Sequence, residues 1–226
     1  TVASIASTEA TFEDGLLGSA WALALTEGRL SYLDAVDAAV MQMLNEGPWD
    51  GAVGILSGGL GALVRYGAAR VRTGLGSVIL DTCGQQFRAL ARRDGRAIRW
   101  NPPRDTLPIE RRRQKKVLRV INMEGSAGAV SALATIVASG SASYAPLLVM
   151  AARTLAADAM PDRVDGIDRL GVSRRHHDAG TWSLGSAGIV AALISASSAS
   201  ASRALRMPAK ACAEDLANLD PDLVGD

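Results

Sequence analysis

Residues 125–133 are GSAGAVSAL, and residues 185–193 are GSAGIVAAL. Seven of the nine positions are identical, and both segments run into tails rich in Ser and Ala. Two interpretations fit: chance similarity in a chain rich in small residues, or two equivalent helices that each carry Ser at the N-cap. Because the side chains at a contact set how closely two helices approach, the second interpretation predicts helices that pack through faces of Gly, Ala and Ser.

The composition points to the same kind of packing. The chain has 226 residues, of which 48% are hydrophobic and only 4% are aromatic. Small apolar side chains each contribute little transfer free energy, since stabilisation scales at about 25 cal/mol per Å² buried. Such a core suits closely packed helices, or subunits stabilised by their neighbours. We interpret residues 1–226 as a single helical domain, within the usual size range of domains.

Helical periodicity and capping signals recur along the chain. In the strongest case, Ser31 precedes residues 32–46 with Asp34 three positions on, which is a capping pattern, and the apolar residues that follow recur at helical spacing. The predicted fold class is therefore all-α: a multi-helix bundle with a basic loop or arm and helix packing faces rich in Ala, Gly and Ser. Helices are predicted over residues 12–26, 32–46, 59–73, 76–93, 126–138, 144–160 and 184–205, with a short one from Pro208.

Charge is strongly segregated. Residues 88–119 hold twelve Lys or Arg and three acids, which gives about +9, whereas the whole chain carries only +1. Gly95, the Pro102-Pro103 pair and Pro108 interrupt regular structure, so residues 94–110 are predicted to form a loop or extended arm. Residues 110–119 are predicted to return to helix, although VLRVIN (117–122) has the alternation of a strand. A second polar loop is predicted over residues 161–181.

The basic arm, residues 88–119, is the candidate functional site. Dense arrays of Lys and Arg attract phosphate backbones, because binding releases counterions, and a Trp among them is expected to stack on an unpaired base. The alternatives are a solvated helix face, or a patch that docks the acidic segment 9–50 of another subunit. The predicted nucleic-acid-binding residues are Arg88, Arg92, Arg93, Arg96, Arg99, Trp100, Arg104, Arg111, Arg112, Arg113, Lys115, Lys116 and Arg119.

These features favour a structural protein that packages nucleic acid. The leading hypothesis is a coat or nucleocapsid-type subunit that self-associates into a large homo-oligomer and binds nucleic acid, with single-stranded RNA favoured. Catalytic constellations are scarce, so we expect no enzymatic activity, no cofactor and no metal site.

The enzymatic alternatives each rest on one feature. An N-terminal Thr1 could act as the nucleophile of a hydrolase, with TVASIAS (1–7) as its first strand. The GSAG at residue 125 could cradle a phosphate on backbone N–H groups, but it lacks the Lys of a P-loop. The only histidines stand in His176-His177-Asp178 without the spacing of a zinc site.

Two uncharged stretches, 125–152 and 179–202, raise a membrane alternative, since each is long enough to span a bilayer. Pro146 interrupts the first, and both are rich in Ser, Gly and Ala, so burial inside a protein is favoured over a membrane. The chain has two cysteines and therefore no disulfide framework, and it starts without the pattern of a signal peptide. We expect a cytoplasmic or virion location rather than secretion.

Overall fold

The computed structural model describes residues 15–27, 33–47, 49, 53–55, 59–100, 123, 125–159 and 186–217. Within these ranges the protein is about 80% helical, and the predicted all-α class is confirmed. The described part contains eight α-helices and one small antiparallel hairpin. They are α1 (Leu16–Glu27), α2 (Leu33–Asn45), α3 (Leu60–Ala69), α4 (Leu75–Leu90), β1 (Arg92–Asp94), β2 (Ala97–Arg99), α5 (Ser126–Ala138), α6 (Ala145–Ala159), α7 (Ser186–Ala199) and α8 (Arg206–Ala217).

The helices form two rows. In the first row α1 packs against α3, α3 against α5, and α5 against α7. Each first-row helix also packs against the helix that follows it in the chain, so that α2, α4, α6 and α8 form a second row. Stacked helix pairs of this kind bury a continuous apolar core between the two rows, and that core takes residues from all eight helices.

The predicted small-residue face of α5 is buried within the described fold. Helix α5 is buried on most sides, through residues such as Ala127, Ala132 and Ala134, and its most extensive partner is α7. The backbone of residues 53–55 also lies close to the first row of helices. Ile55 N–H donates a 3.3 Å hydrogen bond to the carbonyl oxygen of Met123, and a Cβ added to Gly128 on α5 would overlap that same oxygen. Serine does not cap α5 as predicted, because the N-cap is Gly125 and Ser126 is the first helical residue.

The similarity between residues 125–133 and 185–193 extends beyond the matching sequence. Each segment leads into a first-row helix that ends in a Ser-x-Ser loop, Ser139–Ser141 or Ser200–Ser202, followed by a short 3₁₀ turn and a second-row helix. In each loop the middle residue has positive φ, and the last Ser carbonyl accepts a backbone hydrogen bond of 3.2 Å from the end of the turn. Helices α5 and α6 therefore correspond, element by element, to α7 and α8.

The predicted helix over 76–93 stops earlier than expected. It ends at Leu90, because Ala91 takes an extended ψ of 115°, and residues 92–99 form a hairpin in place of the predicted helix end and loop. Arg92 therefore lies on β1 and does not share a helix face with Arg88. The predicted helices 59–73 and 184–205 are also shorter, since each breaks into a 3₁₀ turn, at Val71–Thr73 and Arg203–Leu205.

A buried ion pair joins α2 to the end of α3. Arg70, the C-cap of α3, donates to both carboxylate oxygens of Asp37, and Tyr66 O–H donates to the same group at 2.6 Å. The bond to Asp37 raises the pKa of Arg70, and burial together with that carboxylate raises the pKa of Tyr66. Both carboxylate oxygens of Asp37 accept hydrogen bonds from Arg70, and pairing of this kind is the condition under which charges are tolerated in a core.

Among the described residues, no helix combines the length and the apolar character needed to cross a membrane.

Candidate nucleic-acid interface

A short hairpin carries the described part of the basic arm. Residues 92–99, here called the basic hairpin, pair Arg92 with Arg99 and Asp94 with Ala97, leaving Gly95 and Arg96 as a two-residue loop. Gly95 has φ +58°, and only Gly adopts such values at no cost. Gly at the first position of a two-residue loop is a recognised hairpin signal, and this Gly was visible in the sequence.

The hairpin is fixed to α6 by two polar contacts. The buried Ile98 donates its N–H to Thr154 Oγ1 at 3.0 Å. Arg99 donates from Nε and Nη2 to the two carboxylate oxygens of Asp158, both at 2.8 Å. This bidentate pair raises the pKa of Arg99. Thr154 and Asp158 are one helical turn apart and so share a face of α6. Nothing in the sequence links them to the arm.

The prediction that Trp100 stacks on a base is corrected by its burial. The indole is 1% exposed, packs edge-to-face against Phe87 with ring centroids 6.1 Å apart, and donates Nε1–H to the Phe87 carbonyl at 2.9 Å. A Trp at the end of the hairpin contributes more by burying its large ring in the core than by remaining on the surface. It therefore anchors the hairpin to α4.

The described arginines of the arm divide into two groups. Arg92, Arg93 and Arg96 are exposed on the basic hairpin, and Arg88 is exposed in the last turn of α4. Arg99 is largely buried and its charge is balanced by Asp158, so its predicted role as a phosphate ligand is corrected to that of an anchor.

Arg88 is held in a defined position. Its guanidinium carbon lies 4.8 Å from the centre of the Tyr144 ring, and Nη2 donates to the Ser143 carbonyl at 3.2 Å. Tyr144 in turn donates its O–H to Asp81 Oδ1 at 2.9 Å, and burial raises its pKa to about 12. Although it is held in this way, Arg88 remains exposed to solvent. Tyr144 is a contributor that the sequence analysis did not identify.

The remaining predicted ligands lie outside the described residues, as do Thr1, His176, His177 and the predicted polar loop 161–181. These ligands are Arg104, Arg111, Arg112, Arg113, Lys115, Lys116 and Arg119.

The described ranges contain little that indicates catalysis. No group of three or more His, Cys, Asp or Glu is placed there to hold a metal ion. Both cysteines are buried, and burial raises the pKa of the Cys83 thiol. Because the thiolate is the nucleophilic form, Cys83 is inert in this environment.

Comparisons of the chain with protein-family models, with curated proteins and with solved structures each return no match.

Proposed function

We propose that this protein binds the phosphate backbone of nucleic acid, with single-stranded RNA favoured, and serves as a structural packaging subunit. The observation that carries the proposal is a basic hairpin that exposes Arg92, Arg93 and Arg96, at the start of a segment with a charge of about +9. The rest of the chain is net acidic, so the positive charge is concentrated in this segment of the sequence.

Preorganisation supports the proposal. Binding orders flexible groups at a cost of about 0.5–1.5 kcal/mol for each immobilised long side chain, and a rigid backbone keeps further costs low. Contacts to Thr154, Asp158 and Phe87 hold the basic hairpin before any ligand arrives. Arginines on such a hairpin can contact phosphates without reading bases, since phosphate contacts carry little sequence information.

The test removes two exposed arginines from the basic hairpin, as an Arg93→Ala/Arg96→Ala double variant. Affinity for single-stranded RNA of mixed sequence is measured across a series of salt concentrations. The slope of log K against log salt is about −0.7 for each phosphate contacted on a single strand, so the double variant should flatten it by about 1.4. The matched control, Arg203→Ala/Arg206→Ala, removes one exposed arginine from the 3₁₀ turn before α8 and one from the first turn of α8, and it should leave the slope unchanged.

Two outcomes would count against the proposal. Equal RNA affinity of the double variant and the parent at every salt concentration would rule out phosphate binding by the basic hairpin. A change in oligomer mass of the double variant without nucleic acid would instead favour the intersubunit patch facing the acidic segment 9–50.

A further inference from the structure

Two first-row helices present uncharged faces to solvent. Helix α7 has no charged residue at all, yet Ile194 is 51% exposed and Ser195 and Ser198 lie beside it. A helix that is apolar or small on all sides is normally buried on all sides. The second-row helices differ, because they expose charged residues such as Asp81 on α4 and Lys210 on α8.

The internal repeat identifies what normally covers the exposed face of α7. In the correspondence between the two units, Ile194 takes the place of Ala134 on α5, which is only 2% exposed. Helix α5 lies between α3 and α7 in the first row, whereas α7 has a first-row neighbour on one side only among the described elements. The exposed face of α7 is therefore equivalent to the face of α5 that packs against the next first-row helix, which is α7 itself.

The opposite end of the row offers a matching surface. Helix α1 packs against α3 on one side, and on its exposed side Ser19, Ala22 and Leu25 follow one another at helical spacing. Leu25 is 57% exposed, and no charged residue interrupts this face before Glu27. Like the sequences of α5 and α7, it combines small side chains with a few large apolar ones.

We infer that the α7 face of one copy of this chain packs against the α1 face of a second copy, which continues the first row from one subunit into the next. The contact is heterologous: different surfaces meet, and repetition produces a ring or a filament rather than a closed dimer. This inference describes the contact through which the proposed packaging subunit would self-associate. The biological role of the assembly rests on the packaging proposal. Assembly itself requires no nucleic acid, so each of the two proposals can fail independently.

The experiment places a charge in each face of the full-length chain. Nuclease-treated protein is examined by light scattering and sedimentation over a range of concentrations. The parent should exceed the mass of one chain, with mass rising with concentration, whereas Ile194→Arg and Leu25→Arg should each be monomeric. The matched control is Val78→Arg, since Val78 is an exposed apolar residue on the second-row helix α4, at 48%, and it should behave as the parent does.

Mixing the two monomeric variants gives the decisive result. Each retains the face that the other lacks, so an equimolar mixture should form a complex of two chains and no larger species, which also shows that both variants are folded. A monomeric parent at all concentrations would overturn the inference, as would a mixture that stays monomeric. A dimer formed by Leu25→Arg alone would also overturn it, because that result indicates symmetric pairing of α7 with α7.

Discussion

At the scale of single residues, Ala201 takes a backbone conformation that suits Gly. Its φ is +50°, and it occupies the place that Gly140, with φ +108°, occupies in the preceding unit. Left-handed backbone conformations bring Cβ too close to the following carbonyl oxygen, at a cost of roughly 1–2 kcal/mol. The two Ser-x-Ser loops therefore both have positive φ at the middle residue, which Gly140 adopts without strain and Ala201 adopts at a cost in free energy.

Exchanging the two residues should change stability in opposite directions. Ala201→Gly is expected to raise the free energy of unfolding by about 1 kcal/mol, after allowance for the greater freedom of Gly in the unfolded chain. Gly140→Ala is expected to lower it by about 1–2 kcal/mol, although no atom lies within 4 Å of the added Cβ. Thermal unfolding measures both, with shifts of roughly 2–4 °C per kcal/mol for a chain of this size. Shifts of the same sign would contradict the explanation by backbone conformation.

At the scale of elements, one buried carboxylate connects α2 to α3. Asp37 accepts hydrogen bonds from Arg70 and Tyr66, whereas Asp34, one turn earlier on α2, is 75% exposed and lies 3.6 Å from the same Arg70. Removing one partner from a buried pair leaves an uncompensated charge, whereas an exposed pair contributes little because water screens it. The two aspartates therefore differ in their contribution to stability, although nothing in the sequence distinguishes one from the other.

Asp37→Asn should destabilise the protein by about 3–5 kcal/mol, because the buried Arg70 would then keep only the exposed, solvent-screened Asp34 as a counter-charge. The matched control is Asp34→Asn, which should change the free energy of unfolding by less than about 1 kcal/mol. Denaturant unfolding followed by circular dichroism measures both values. Comparable losses in the two variants would show that burial of the Asp37–Arg70 pair is not what stabilises the α2–α3 contact.

At the scale of the whole molecule, two tyrosine hydroxyls link separate parts of the fold through carboxylates. Burial raises the pKa of Tyr144 to about 12, and the pKa of Tyr66 is raised as well, with burial the larger cause and the bond to Asp37 the next. A tyrosine in an unfolded chain has a pKa of about 10. Above that pH the unfolded state therefore binds fewer protons than the folded state, and stability falls as pH rises.

The stabilisation from Tyr144 should be complete below about pH 10 and lost as pH rises through about 12. Tyr144→Phe should therefore show a shallower decline in melting temperature over this range than the parent. At neutral pH the variant should be less stable, because its hydrogen bond to Asp81 is gone. The same measurement at pH 8 serves as the reference. Parallel declines in the two proteins would assign the alkaline transition to other groups.

The sequence by itself determined the helical class and most helix positions. Periodicity and breakers are local properties, and the predicted helix 126–138 matches α5, while 32–46 lies within one residue of α2 at each end. The repeated GSAG segments fitted either chance similarity or two equivalent helices, and the tertiary structure decided for equivalent helices. The turn at Gly95 and Arg96 is equally local, but the sequence around it is dense in arginine and lacks the alternating apolar residues that usually flank a hairpin turn.

Tertiary structure alone decided which side chains of the basic arm face solvent. Arg96 and Arg99 carry the same side chain. Arg99 pairs with Asp158 of α6 and anchors the hairpin, whereas Arg96 is an exposed cation. Trp100 is buried because Phe87 and its carbonyl lie where the ring can pack and donate. Partners such as these are more than ten residues away in the chain. Their meeting depends on how the helices pack, which local sequence patterns do not encode.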